Sequence, residues 1–522
     1  MKKIIAMICS LSLVFSLAGC QNNKDSQDDA DNALVNEAEN DFSDGTTETL
    51  ENRAEDKDSD RDRNVPPEKP DGSGDFGGEG NAPPEKPDGE GHEGGMGGTP
   101  PEKPDGDMGG NPPEKPGGFG GSMEVTQGSA ANTIDEDGTY SDKTYISTGD
   151  DENALRIVGA KAVLDGITVN KDSGATSNTE NGDFYGMNAA LLATDGTSVT
   201  ITNAVVNSSA QNGNGVFSYG EGTVVNISDS VINTTADNSG GIQTTGGGTT
   251  NANNLQVTTA GSSSAAIRSD RGGGTVIVDG GSYISNGYNS PAVYSTADIT
   301  VKNALLTANN SEALVIEGKN SITLENCDVT GNMSDTKGSS SDINVHNVMI
   351  YQSMSGDADV GTSVFTMTGG SLTSNNGDML YITNTHCILT LSGVSIINNE
   401  ADGYFLLASG NNANHGWGKA GSNGAQVEFT ADGQTFEGNI AVDSISSLTM
   451  ALTNKSVYTG AVNIIPNEQG GTAAENNAVI TIDSGSVWNL TGNCTITDLT
   501  NNGTINFNGY TITLADGTVL SE

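Results

Sequence analysis

From residue 124 onward the apolar positions recur at every second residue in short runs, broken by Gly, Asn and Asp, and no stretch of useful length carries a 3.6-residue apolar repeat. Short strands are predicted throughout. The runs share one template: Ile201-Thr-Asn-Ala-Val-Val206, Ile227-Ser-Asp-Ser-Val-Ile232, Val278-Asp-Gly-Gly-Ser-Tyr283, Val301-Lys-Asn-Ala-Leu-Leu306 and Leu324-Glu-Asn-Cys-Asp-Val329, with a weaker copy from Ala252. Successive copies start 26, 25, 26, 23 and 23 residues apart, and Met367 and Leu391 continue the series 24 apart. The third template position is Asn203, Asp229, Asn254, Gly280, Asn303, Asn326, Gly369 and Gly393. Those residue types tolerate left-handed backbone, so each coil is expected to bend tightly there between two strands.

A period near 24 with three short strands per turn and an asparagine-bearing bend resembles the right-handed parallel β-helix of the pectate-lyase-like superfamily, over nearly all of residues 130–424. The predicted fold is therefore all-β, a single-stranded right-handed parallel β-helix. From Val427 the character changes, and the segment Ser486 to Gly503 resembles the passenger β-helices of bacterial adhesins. The phrases AAIRSDRGGG and VMIYQSMSGDADVG, with the N-terminal features below, make the chain similar to a group of surface β-helix lipoproteins described as adhesin-like.

Residues 1–20 carry two lysines, an apolar run from Ile4 to Leu17, then Leu17-Ala18-Gly19-Cys20. This resembles a bacterial lipoprotein signal, in which Cys20 receives the lipid and becomes the first residue of the mature chain. Of 14 prolines, all but Pro291 and Pro466 precede residue 123. PPEKP recurs there from Pro66, Pro83, Pro100 and Pro112 between Gly-rich spacers, without apolar periodicity. Such a segment cannot bury enough surface to offset chain entropy and is expected to be a disordered tether. The expected organisation is a signal peptide over 1–19, a lipid-anchored linker over 20–123, a β-helix over 124–424 and adhesin-like coils over 425–522. The expected location is the bacterial cell surface, anchored by lipid.

With 67 acidic against 22 basic side chains and a net charge of -45, the chain is unsuited to neutralising nucleic-acid phosphates or to docking on anionic lipid through basic residues. Cys327, Cys387 and Cys494 fall on separate coils and are expected to be buried small residues.

Ligands in the superfamily generally lie along the first sheet. That sheet is registered by Ala190-Leu191, Gly215-Val216, Gly241-Ile242, Ala266-Ile267, Ala292-Val293, Ala313-Leu314 and Met379-Leu380. Counting onward from the buried apolar residue, side-chain alternation places Phe217, Tyr219, Arg268, Asp270, Tyr294, Glu317, Gln352 and Tyr381 outward. Arg268 and Arg271 are two of the three arginines after residue 123. They suit a uronate or sialate carboxylate, and Tyr294 and Tyr381 suit stacking on sugar rings. Asp270 and Glu317 fall in one column two coils apart, roughly 9.6 Å at about 4.8 Å per coil, near the carboxylate spacing of an inverting glycosidase. Exposed ion pairing, Asp270 with Arg268 or Arg271 and Glu317 with Lys319, is the simpler account of the same residues.

The superfamily's catalytic signatures are not found: there is no Gly-His-Gly, and Asn384-Thr385-His386 matches it only superficially. Insertions around 171–187, 330–346 and 410–424 flank first-sheet strands, and the last carries His415, Trp417 and Lys419. Trp417 suits either sugar stacking or anchoring of its loop. Asp357-Ala-Asp359, and Asp335 with Asp342, offer oxygen ligands for calcium but match no EF-hand loop, and otherwise read as solvated turn carboxylates. No other cofactor is indicated. The leading expectation is non-catalytic binding of extracellular glycans or a host surface polymer by Arg268, Arg271, Tyr294, Tyr381, Gln352 and Trp417. The alternatives are a polysaccharide hydrolase or lyase built on Asp270 and Glu317, and a structural surface spacer.

Overall fold

A computed structural model describes residues 126–333, 344–400 and 402–522. Cys20, the PPEKP repeats, Asp335 and Asp342 lie outside the described residues.

The described chain is a right-handed parallel β-helix. One sheet stacks 16 short strands from Thr133–Ile134 to Val519–Leu520; a second holds the 22 strands that lie on either side of the bend; a third, of 4 strands, forms late in the chain at 435–437, 457–459, 487–489 and 504–506. Pairing is parallel from coil to coil except at the very end, where Ile512 faces Leu520 and Thr513 faces Val519 in an antiparallel pair.

The template residues explain the stack. Leu164, Ile201, Ile227, Ala252, Val278, Val301, Leu324, Met367 and Leu391 are successive register partners in one column, and every one of them is buried. Each apolar side chain thus meets its equivalent one coil away, which gives a continuous core from short strands. At the bend, all eight positions expected to be left-handed have positive φ, from 48° at Asp229 to 74° at Gly280. The asparagines there also bond along the axis: the amides of Asn203, Asn254 and Asn303 each donate to the carboxylate one coil earlier, Asp165, Asp229 and Asp279, at 2.8 Å. Cys327, Cys387 and Cys494 are buried and free.

In the late coils the bore is filled by rings. Phe436, Tyr458 and Trp488 are register partners, with centroids 4.7 Å and 5.9 Å apart and planes within 23° of parallel.

Candidate functional site

The first sheet starts each strand where the small-apolar pairs place it: Leu191, Val216, Ile242, Ile267, Val293 and Leu314 face inward and are register neighbours. Their successors form an outer column of Phe217, Gln243, Arg268, Tyr294, Val315, Met349, Tyr381 and Leu407. Continuing the register from Ile267, Val293 and Leu314 by three residues puts Asp270, Thr296 and Glu317 in the second outer column, and Glu317 pairs with Tyr351.

Gln352 departs from the expectation. Val348 pairs with Leu314, so Met349 and Tyr351 take the outward positions of that coil. Gln352 follows the strand end, is buried, and donates its amide to the Ser353 carbonyl at 2.6 Å. Every residue of His346–Tyr351 is buried, so this strand lacks the polar alternation that reveals parity.

Much of the outer face is covered. Phe217 is fully buried beside Ala189 and Leu192. Tyr381, expected on an open face, is also fully buried, in a cluster with Val315, Met349, Tyr351, Leu407 and Ala441. Between these covered ends the face opens into a groove of about 390 Å³.

All three insertions reach that groove. The first forms the short helix α1 (Thr179–Tyr185), started by the Asn178 side chain accepting from the Asn181 amide and stopped by Gly186 at φ 80°. It delivers Asp183 and Phe184 to the groove wall, the second insertion delivers Met333 and His346, and the third His415 and Trp417. Trp417 both anchors and lines: its ring lies 4.9 Å from Tyr351 and stacks on His415 at 4.6 Å, and its carbonyl accepts from Asn423 at 2.9 Å.

Arg268 is spoken for. Its Nε lies 2.7 Å from Asp270 and its Nη1 lies 3.3 Å from Asp183, and all three side chains are nearly buried. Gln243 donates to Asp270 at 3.0 Å and Asn212 to Asp183 at 2.9 Å. Burial alone would weaken the guanidinium's hold on its proton, but Asp183 and Asp270 outweigh it and hold Arg268 above its ordinary range. One cation cannot compensate two buried carboxylates fully, and burial, only partly offset by Arg268, pushes Asp270 up to about 7. The expected Asp270–Arg268 ion pair therefore exists, but it is buried.

Arg271 sits at the rim. It bonds Asp357 at 2.7 Å, approaches Glu180 at 3.6 Å, and lies 4.1 Å over the Phe184 ring, clasping the helix to the loop that follows Gln352. Asp357 and Asp359, considered for calcium, pair instead with Arg271 and Lys319. Lys319 is thus not the partner of Glu317. Among the described residues no group of three or more His, Cys, Asp or Glu is placed to hold a metal.

Glu317 is 2% exposed and does not line the groove. It accepts from the hydroxyls of Tyr294 at 2.5 Å, Tyr351 at 2.9 Å and Ser353. Tyr294 and Tyr351 do line the groove, and burial above all holds both phenols protonated, well above their ordinary range. His386 opens a strand of the second sheet, bonded to Thr362 and Glu428 at 2.9 Å, and is not part of the groove.

Sequence reasoning missed Asp183, Tyr351, Glu312 and His346. Glu312 had a usable signal: two residues before the inward apolar residue, preceding coils carry Asn214, Gly240, Ala265 and Pro291, and then a carboxylate appears.

Compared with known proteins, the chain matches no family model, no curated protein sequence and no solved structure.

Proposed function

We propose that this chain is a lipid-anchored surface protein whose β-helix binds extracellular carbohydrate in the first-sheet groove without turning it over. The observation that carries the reading is the division of labour in the groove. Tyr294, Tyr351 and Trp417 supply ring surface to its wall, while the two carboxylates considered for catalysis are committed elsewhere, Asp270 to Arg268 and Glu317 to three hydroxyls. Asp183, Asp270, Glu312 and Asp357 line the groove against the single arginine Arg268, so a neutral or cationic glycan fits better than a uronate or sialate. We place the solenoid near the pectate-lyase-like superfamily on its coil period and asparagine-bearing bend.

A glycan array followed by titration calorimetry tests the reading. Trp417→Ala should weaken binding of the glycans that the parent holds by about 1–3 kcal/mol, the scale of a lost aromatic partner. A parent that binds no glycan would remove the proposal.

One observation favours hydrolysis as a second reading: Asp270 lines the groove and titrates near 7, a value suited to a general acid. Under it Asp270→Asn should abolish product formation while the glycan still binds. Under the binding reading no product forms with the parent either.

For the anchor, Cys20→Ala should shift the protein from the membrane fraction to the medium or leave the signal uncut. Unchanged fractionation with unchanged lipid labelling would contradict a lipid at this residue.

A further inference from the structure

One end of the groove is built differently from the rest. Leu314 and Val348 are register partners, and the Ala313 amide donates to the Asn347 carbonyl at 2.7 Å, so the positions two residues earlier, Glu312 and His346, enter the sheet on consecutive coils. Both line the groove. Glu312 is 7% exposed; its carboxylate accepts from the Ser311 hydroxyl at 2.5 Å and, unlike Asp183, Asp270 and Asp357, meets no cation among the described residues.

His346 supplies an independent observation. It is 1% exposed, and its Nδ1 lies 2.8 Å from the Asn344 carbonyl oxygen. A carbonyl can only accept, so Nδ1 carries the hydrogen and Nε2 of the neutral ring is an acceptor. That Nε2 is buried and has no hydrogen-bond partner among the described residues. Burial is costly for a carboxylate that meets a hydroxyl but no cation and for a ring nitrogen that meets no donor, and one group arriving from the groove, a cationic donor, answers both.

We infer that Glu312 and His346 form a subsite for a primary ammonium group, and that the glycan bound in the groove contains a hexosamine residue whose amine is not acetylated. This rests on the carbohydrate reading above and narrows it. An ammonium offers three donors and a positive charge, so it satisfies Glu312 and Nε2 together. An N-acetyl group offers one amide hydrogen and no charge, and a hydroxyl offers one hydrogen.

The test uses the full mature chain with three probes of equal length: glucosamine oligomers, N-acetylglucosamine oligomers and glucose oligomers. The parent should bind the glucosamine series about tenfold or more tightly than the N-acetylated series, the factor that one charge-assisted hydrogen bond supplies. Glu312→Gln keeps the size and the Ser311 contact and should reduce that preference to less than about threefold. Its fold is checked by circular dichroism, and His346→Gln provides a second variant expected to reduce the same preference.

Equal affinity of the parent for all three series would overturn the ammonium subsite and leave the carbohydrate reading standing. Failure of every series, together with a blank glycan array, would remove the carbohydrate reading itself. A preference that survives intact in Glu312→Gln would also overturn the subsite, because one charge in a net -45 hardly alters general attraction for cations.

Discussion

Arg268→Ala should destabilise the β-helix by about 3–5 kcal/mol at neutral pH, a far larger effect than the loss of a ligand contact on an open surface. The side chain stands between two nearly buried carboxylates, and without it Asp183 and Asp270 face each other's charge with only the amides of Asn212 and Gln243 to help. The deficit should depend on pH. A buried acid whose folded pKa is raised contributes stability that is fully present below its unfolded value and is lost as pH rises through the folded value. For Asp270 in the parent that window runs from 3.8 to about 7. Removing the arginine raises both carboxyl groups further, so the variant should be weakest above neutrality and should recover part of its deficit near pH 5, where protonated carboxyls need no cation. Urea unfolding of the parent and the variant at pH 5 and pH 8 measures this. A deficit below about 1 kcal/mol at pH 8 would show that the triad is not a support of the fold. Asp270→Asn should flatten the parent's own decline between the two pH values.

Trp488→Ala should cost about 3–5 kcal/mol, the scale for emptying the volume of a buried large aromatic ring. The indole is fully buried against Tyr458, and its Nε1 donates to the Gly460 carbonyl at 3.0 Å, so truncation leaves both a cavity and an unpaired acceptor. Around Trp488 each strand pairs only with the coil on either side, so the damage should stay local. Hydrogen exchange should show lost protection over roughly residues 455–522, with the coils before residue 330 unchanged. Uniform loss of protection along the whole solenoid would mean that the coils unfold as one cooperative unit. Trp488→Phe should lose much less, since most of the stack survives.

The two substitutions probe different kinds of information in the sequence. The bends were legible because their requirement is local: a left-handed residue is Asn, Asp or Gly, and Asn203, Asp229 and Gly280 recur at the coil period. First-sheet entries such as Ala266-Ile267 and Ala313-Leu314 were legible because a small residue before an inward apolar one repeats coil after coil. The insertions around 171–187, 330–346 and 410–424 could be placed beside the first sheet because each interrupts the period next to one of its strands, the first two before the strand and the third after it. What covers the outer face obeys no period. Arg268 meets Asp183 across 85 residues and Arg271 meets Asp357 across 86, through loops whose paths the repeat does not set. That is why Arg268 and Asp270 read as exposed chemistry and turned out to be a buried triad. Tyr381 reads as an open stacking surface and is sealed beneath its neighbours for the same reason. Glu317 was placed in the right column, but its three hydroxyl partners include Ser353, which lies past a strand end, and Tyr351, which the register slip at Gln352 concealed.

The reversed final strand has a consequence for how this molecule behaves in a crowd. A parallel solenoid has no intrinsic length: its last coil is a template on which a first coil of the next copy could stack, with the same rise and the same apolar columns. Here the last strand of the 16-stranded sheet runs the other way, and Val519–Leu520 lies against Ile512–Thr513. In this sheet an incoming coil that keeps the direction of the rest would meet a strand of opposite polarity instead of a parallel partner. The pair of Ile512–Thr513 with Val519–Leu520 thus sets a strand of opposite polarity beside the parallel ladder of the 16-stranded sheet, which disfavours growth of that sheet by direct stacking of a parallel coil at this point.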